Sequence, residues 1–133
     1  MEDADGAAIQ ELKVAARRRI KVAPANRQAI MDGLRQAASG PKGTSTAVFK
    51  GFPIPIAGKT GTAERPGGNY ADDQAWYVAL APYDDPRYVV AVTVEDGGFG
   101  AETAAPVARK ILASLYDVKD RPPAPAPPAG PLE

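Results

Sequence analysis

Four residues near the middle of the chain combine a cation, two hydroxyl groups and a glycine. Residues 59–62 read Lys-Thr-Gly-Thr and follow the short apolar segment Ile56-Ala57-Gly58. Lysine and threonine side chains can donate hydrogen bonds to an anion, and Gly61 has no Cβ, so a ligand's backbone can approach closely there. Pro55 cannot donate a ladder hydrogen bond, so it belongs on an edge strand or at a strand start. The pattern predicts an open strand edge that binds an extended peptide and a carboxylate.

The composition excludes several other kinds of site. Sixteen basic and sixteen acidic residues leave no net charge to favour nucleic acid or an anionic membrane. The 133 residues include no histidine, so a Ser-His-Asp triad cannot form within them, and no cysteine for thiolate catalysis or a zinc site. No apolar run approaches the roughly 18 residues that span a bilayer, and the amino terminus lacks the layout of a signal peptide. We expect one small domain, or part of a larger one, that is soluble by itself.

The Lys-Thr-Gly-Thr segment opens a series of predicted strands. Apolar and β-branched residues predict strands over 54–62, 74–82 and 87–95, with residues 83–86 as the turn between the last two. Their connections are too short for parallel crossovers, so an antiparallel meander is expected. Trp76 could stack on a ligand, but in a strand that is apolar on both faces we expect it in the core. Taken alone, Lys-Thr-Gly-Thr is also typical of a polar surface turn.

Two helices are predicted to cover this sheet, which makes the fold class α+β. Pro24 suits the first turn of a helix over 24–38, and Thr103 suits the cap of a helix over 103–116. We expect Gly33 to reflect close packing against a neighbour, and residues 43–49 to form a capped helical turn that leads into the first strand. The expected buried stripes are Ile30, Leu34, Ala37 and Ala38 in the first helix and Ala104, Ala108, Ile111 and Leu115 in the second.

The two ends of the chain differ from this central part. Asp5-Gly6 predicts a tight hairpin turn, because the spacing of nearby residues does not fit a calcium loop. Residues 119–133 are rich in proline and alanine, which predicts a disordered tail after a globular part at 1–118.

The central segment carries a family resemblance. I-A-G-K-T-G-T-A at 56–63, A-W-Y-V at 75–78 and A-P at 81–82 resemble the C-terminal part of the transpeptidase domain of class B penicillin-binding proteins of the elongation type. The third signature of these penicillin-recognising serine enzymes is Lys-Thr-Gly on a strand beside the active site. The resemblance extends from about residue 3 to residue 116. It implies a partial penicillin-binding-protein/serine β-lactamase-like fold.

The resemblance implies a serine-type D-Ala-D-Ala transpeptidase that cross-links peptidoglycan through an acyl-enzyme and is acylated by β-lactams. In that scheme Lys59 and Thr62 are catalytic, because Lys59 tunes the nucleophile and the Thr62 N–H forms half of the oxyanion hole. The same lysine, with the Thr60 and Thr62 hydroxyls, would bind the terminal carboxylate of the substrate. Gly61 would let the peptide lie flat along the strand. No cofactor and no metal are implied.

The serine nucleophile of the family is missing from these 133 residues. Ser39 and Lys42 match the letters of Ser-x-x-K, but Gly40 and Pro41 between them are poor material for the helical turn that this motif needs. No Ser-x-Asn motif is present. We therefore expect this chain to be inactive alone and to belong to a longer parent on the outer side of the bacterial inner membrane, anchored by a segment absent here.

The resemblance also implies partners and leaves two alternatives open. The expected partners are the D-Ala-D-Ala stem peptide, β-lactams and other cell-wall synthesis proteins. No nucleic acid is expected to bind. The chain is also expected to self-associate through an exposed sheet edge. One alternative is a β-lactam sensor or class D β-lactamase, which also carries Lys-Thr-Gly and a Trp-containing strand, although Ala81-Pro82 favours the synthase. The other alternative is a non-catalytic module whose open edge pairs with a partner's strand.

Overall fold

The computed structural model describes residues 20–119, which form an antiparallel three-stranded sheet with helices on both sides. The sheet order is β1-β2-β3, so the predicted α+β meander is confirmed. The hairpin expected at Asp5-Gly6 lies outside the described residues, as does all but the first residue of the tail expected at 119–133. The elements in chain order are α1 (Pro24–Ser39), α2 (Thr46–Phe49), β1 (Ala57–Ala63), β2 (Gln74–Ala81), β3 (Tyr88–Val94) and α3 (Ala104–Leu115). Within these residues no helix is long and apolar enough to cross a membrane.

One face of the sheet forms the main core under α2 and α3. Tyr77, at the centre of β2, is fully buried and lies between Thr60 of β1 and Val92 of β3. The Phe49 ring of α2 stacks on Tyr77 with 5.5 Å between ring centroids. Most of the other residues that β2 and α3 bury in this core are alanines, so α3 can pack closely against the strands. They include Ala75, Ala79 and Ala81 of β2 and Ala104, Ala105 and Ala108 of α3.

The opposite face of the sheet is covered only in part, which makes the prediction for Trp76 wrong. Trp76 is 39% exposed and Val89 is 68% exposed, although β2 and β3 carry apolar residues on both faces. The described residues cover this face only near one end, where Met31 and Tyr83 bury Ala57. An apolar pattern shows which faces can be buried, whereas burial itself requires an element that packs there.

Helix α1 packs on the sheet through most of the predicted stripe, in which Ala38 is buried and Leu34 and Ala37 are partly buried, but the prediction for Ile30 is wrong. Ile30 is 59% exposed, and Met31 and Ala38 are the buried positions, with Leu34 packed beside them. These three residues follow the i, i+3, i+7 spacing, and Ile30 lies one position off that line. A Cβ on Gly33 would meet no heavy atom within 4 Å, so the expectation of close packing there is wrong.

A polar cluster fixes α1 to the turn after β2. The Tyr83 hydroxyl donates a hydrogen bond to Asp32, and Gln28 Nε2 donates to the same hydroxyl at 3.0 Å. The Arg35 guanidinium lies 4.5 Å from the centroid of the Tyr83 ring. The Tyr83 hydrogen bond, followed by that of Gln28, lowers the pKa of the Asp32 carboxyl. This polar cluster lies beside the apolar contact of Met31 with Tyr83 and Ala57.

Helix α3 and the strand boundaries also differ from expectation in detail. Leu112 is the large buried residue of α3, while Ile111 and Leu115 are 40% and 45% exposed. The Thr103 hydroxyl does not cap the helix and instead donates to the Gly97 carbonyl at 2.8 Å. Strand β1 begins at Ala57 rather than at 54.

Candidate active site

The Lys-Thr-Gly-Thr segment lies in β1, which is an edge strand among the described residues. The Lys59 ammonium donates to the Thr60 carbonyl at 2.8 Å and lies 3.4 Å from the Thr60 hydroxyl. Because it accepts this bond, the Thr60 carbonyl faces the outer side of the strand. Backbone groups alternate in direction along an antiparallel strand, so the N–H and C=O of Thr62 face the same open side. The edge therefore combines a cation with outward backbone donors and acceptors.

A cavity of about 290 Å³ lies beside this edge. The Thr60 and Thr62 side chains form one wall, as expected for residues two apart on a strand. The opposite wall is the loop between β3 and α3. The cavity is lined by Thr44, Thr60, Thr62, Phe99, Gly100, Ala101 and Glu102. The hydroxyls of the β1 wall, with the Lys59 ammonium 3.4 Å from that of Thr60, can bind a carboxylate. The Glu102 carboxylate makes the opposite wall unfavourable for an anion.

Thr44 joins the site from a separate part of the chain. Its hydroxyl oxygen lies 3.1 Å from that of Thr60, although the two residues are 16 positions apart in sequence. The sequence pattern predicted only a helical turn over residues 43–49, and this hydroxyl was not among the expected site residues. The one available signal was the run of hydroxyl residues Thr44-Ser45-Thr46 at the start of α2. The fold therefore adds a third threonine to the two of β1.

The turn that carries Thr44 is fixed by a buried pair of hydroxyls. Ser45 is fully buried; its hydroxyl donates to the Ala37 carbonyl at 3.2 Å and shares a 2.9 Å hydrogen bond with the Tyr77 hydroxyl. Burial raises the pKa of the Tyr77 hydroxyl to about 12, and the Ser45 hydrogen bond opposes this shift only in part. A neutral Tyr77 therefore connects the Thr44 turn to the middle of the sheet at physiological pH.

Replacing Ser45 by alanine should destabilise the protein by about 1–3 kcal/mol, because the buried Tyr77 hydroxyl loses its partner. Urea unfolding followed by fluorescence measures this change. The matched control is Ser114→Ala, an exposed serine of α3, for which a change within about 0.5 kcal/mol is expected. Equal effects of the two substitutions would show that the Ser45 hydrogen bond contributes nothing.

The loop that forms the far wall is held at both ends. The Asp73 carbonyl accepts from the N–H groups of Gly97 and Gly98 at 3.0 and 3.1 Å. At the other end, the Thr103 hydroxyl donates to the Gly97 and Phe99 carbonyls. The Phe99 ring stacks on Tyr70 with 5.4 Å between centroids, and both rings are exposed. The cavity thus has hydroxyl groups on β1, and the loop lines it with an aromatic ring at Phe99 and a carboxylate at Glu102.

The structure brings together three of the four predicted site residues. Lys59 and Thr60 contact each other, and Thr62 lines the same cavity as Thr60. Gly61 lies on the other face, where a Cβ would be 3.1 Å from Trp76 Cβ. The Lys59 side chain starts from that same face, and its ammonium reaches Thr60 at the open edge of the strand. Ser39, which matched the nucleophile motif only in its letters, ends α1 and donates its hydroxyl to the Arg35 carbonyl at 3.0 Å.

Comparison with known proteins identifies the family of this chain. Residues 3–113 match the family model described as the penicillin binding protein transpeptidase domain. The chain therefore belongs to this transpeptidase family. It is 36% identical over 97 residues to the peptidoglycan D,D-transpeptidase MrdA of Haemophilus influenzae, covering 64% of this chain and only 15% of the length of that protein.

Two solved structures share the fold, and the first of them supports a domain of the penicillin-binding protein 2 type. In the complex between penicillin-binding protein 2 and MreC from Helicobacter pylori, the similar chain gives a TM-score of 0.63 at 30% identity, covering 70% of this chain and 17% of that one. The ceftriaxone acyl-enzyme of penicillin-binding protein A from M. tuberculosis gives a TM-score of 0.67 at 28% identity. The similarity covers 85% of this chain and 26% of that one.

Proposed function

We propose that this chain supplies the substrate- and β-lactam-binding side of a serine-type peptidoglycan D,D-transpeptidase active site, within a longer parent protein. The observation that carries the proposal is the position of the Thr60 hydroxyl on an open strand edge, 3.4 Å from the Lys59 ammonium and 3.1 Å from the Thr44 hydroxyl. Within the transpeptidase family, such an edge fits a peptide that ends in a carboxylate. The substrate would be the D-Ala-D-Ala end of a stem peptide, which the enzyme cross-links to a neighbour.

The carboxylate would bind at the hydroxyl wall of the cavity. Lys59 supplies positive charge there, and the Thr60 and Thr62 hydroxyls each donate one hydrogen bond. Hydrogen bonds to a charged group are shorter and roughly twice as strong as neutral ones. In the same scheme Lys59 lies close enough to a nucleophile to favour its deprotonated form. Lys59 therefore acts both in binding and in catalysis.

The backbone of β1 would hold the rest of the peptide. An extended acyl donor adds as a further strand along the open edge and uses the outward backbone groups of Thr60 and Thr62. The Thr62 N–H then lies beside the carbonyl that is attacked and stabilises the oxyanion. Removing one oxyanion-hole donor costs about 3–4 kcal/mol of transition-state stabilisation in other enzymes.

The nucleophile would come from outside residues 1–133. Ser39 is the only serine with a lysine three residues later, and its hydroxyl is bonded to a carbonyl of its own helix. We therefore propose that the isolated chain is inert and that the parent completes the site with its Ser-x-x-K and Ser-x-Asn motifs. The parent would be anchored on the outer side of the inner membrane. MreC, the partner in the H. pylori complex, indicates the kind of cell-wall protein it would contact.

The isolated chain should not be acylated by penicillin. The measurement is intact mass after incubation with a fluorescent penicillin, and the expected result is an unchanged mass. Ser39→Ala is the matched control, because it removes the only serine that matches the nucleophile motif. A stoichiometric adduct that disappears in Ser39→Ala would overturn the assignment of the nucleophile to the parent.

The same reagent separates the alternatives in the full-length parent. A long-lived penicillin adduct, together with cross-linking of a stem-peptide substrate, agrees with the transpeptidase. A long-lived adduct without cross-linking would identify a sensor, and rapid hydrolysis of the adduct would identify a β-lactamase. A parent that forms no adduct would leave the strand-pairing module as the better interpretation.

A further inference from the structure

Helix α3 contains a buried arginine outside the proposed chemistry. Arg109 is only 2% exposed, and its Nη1 atom donates hydrogen bonds to the Val48 and Lys50 carbonyls, the latter at 3.1 Å. The guanidinium also lies 5.3 Å from the centroid of the Phe52 ring. A buried charge is costly unless hydrogen bonds compensate for its lost hydration. Its retention in an otherwise alanine-rich helix therefore needs a reason.

The carbonyls that Arg109 binds lie at the C-terminal end of α2. The last carbonyls of a helix lack partners within that helix, and a cation is favourable beside them. Helix α2 has four residues, so it is too short to be stable without tertiary contacts. Ser45, bonded to Tyr77, fixes its N-terminal end, and Arg109 fixes its C-terminal end. Thr44 comes directly before this doubly fixed segment.

We propose that Arg109 is a positioning residue for the active site, which acts through α2 to hold the Thr44 hydroxyl beside Thr60. This inference rests on the proposed function, because it assigns Thr44 to the carboxylate site. The chain of contacts is continuous: Arg109 binds the end of α2, α2 fixes the turn at residues 43–45, and Thr44 contacts Thr60 at 3.1 Å. Without Arg109, α2 and Thr44 move, and the hydroxyl wall loses its geometry.

The test uses the full-length parent at a temperature where every variant is folded. Arg109→Met keeps much of the side-chain length but removes the donors, and it should lower the second-order rate of acylation by penicillin about tenfold, since small misplacements in an active site are costly. Thr44→Val should lower the rate by a similar factor. Because both changes disable the same hydroxyl, the double variant should be no slower than the slower single variant. Arg109→Lys, which restores one cationic donor, should recover part of the rate.

Leu112→Ala is the control for a merely structural effect. Leu112 is buried in the same helix, and its truncation should lower the melting temperature without changing the acylation rate of the folded protein. The inference is overturned if Arg109→Met reacts at the wild-type rate, if the Arg109 and Thr44 effects multiply independently, or if Leu112→Ala slows acylation as much as Arg109→Met. Failure of the proposed function gives a different result, because the wild-type parent itself would then form no adduct with penicillin. In that case the proposal for Arg109 would also be lost.

Discussion

Lys59→Ala in the full-length parent should lower the second-order rate of acylation by penicillin by about 100-fold or more. The melting temperature should stay nearly unchanged. Lys59 is exposed, and among the described residues its hydrogen bonds go to Thr60, the next residue, so it contributes little to the stability of the fold. The measurement is the acylation rate beside thermal unfolding of the same preparation. A large fall in the acylation rate with no change in stability is expected for a residue that contacts the ligand.

Thr62→Val is the graded control for this experiment. It removes one hydroxyl but keeps the backbone N–H proposed for the oxyanion hole, so it should slow acylation less than Lys59→Ala does. If rate and melting temperature fell together in Lys59→Ala, the lysine would be structural. An unchanged rate would end the transpeptidase assignment of this strand and favour the strand-pairing module.

Gly100→Ala should be the most damaging of the conservative substitutions in the cavity wall. A Cβ at this position would overlap the carbonyl oxygens of Trp76 and Gly61, and backbone atoms cannot rotate away as a side chain can. Overpacking of this kind costs about 1–3 kcal/mol, occasionally more. Either the loop or strand β1 must shift, so the acylation rate should fall together with the melting temperature. Thermal unfolding and the acylation rate of the parent measure both effects.

Gly33→Ala is the control for Gly100→Ala, because the same substitution is expected to stabilise the protein at this position. Gly33 lies inside α1, and a Cβ there would meet no heavy atom within 4 Å. Alanine is better than glycine in a helix interior by roughly 1 kcal/mol, so the melting temperature should rise and acylation should not change. A Gly100→Ala protein as stable as wild type would contradict the close approach of the loop to β1.

Local sequence patterns were sufficient to predict the elements and the edge of the site. The β-branched run of β3 and the turn at residues 83–86 predicted the meander, and Pro24 marked the start of α1. Thr60 and Thr62 are alternate residues of one strand, so their shared face follows from the strand itself. Lys59 starts on the opposite face, and its long side chain reaches the Thr60 carbonyl at the open edge. These features depend on contacts between residues close in sequence.

The remaining features depend on packing between distant segments. Thr44 reaches Thr60 only because α2 folds over the sheet, and the Asp73 carbonyl fixes the loop that carries Phe99. No local pattern specifies either approach. The errors at Ile30 and Trp76 have a related cause, since apolar periodicity does not show which apolar residue will find a covering element.

The structure of the full-length parent after reaction with a β-lactam tests the central claim most directly. We predict a covalent adduct on a serine outside residues 1–133, with the acyl carbonyl oxygen within hydrogen-bonding distance of the Thr62 N–H. The β-lactam carboxylate should contact the Thr60 and Thr62 hydroxyls and lie near Lys59. An adduct whose carboxylate lies away from β1, with no contact to residues 59–62, would contradict the assignment of this strand as the substrate-binding edge.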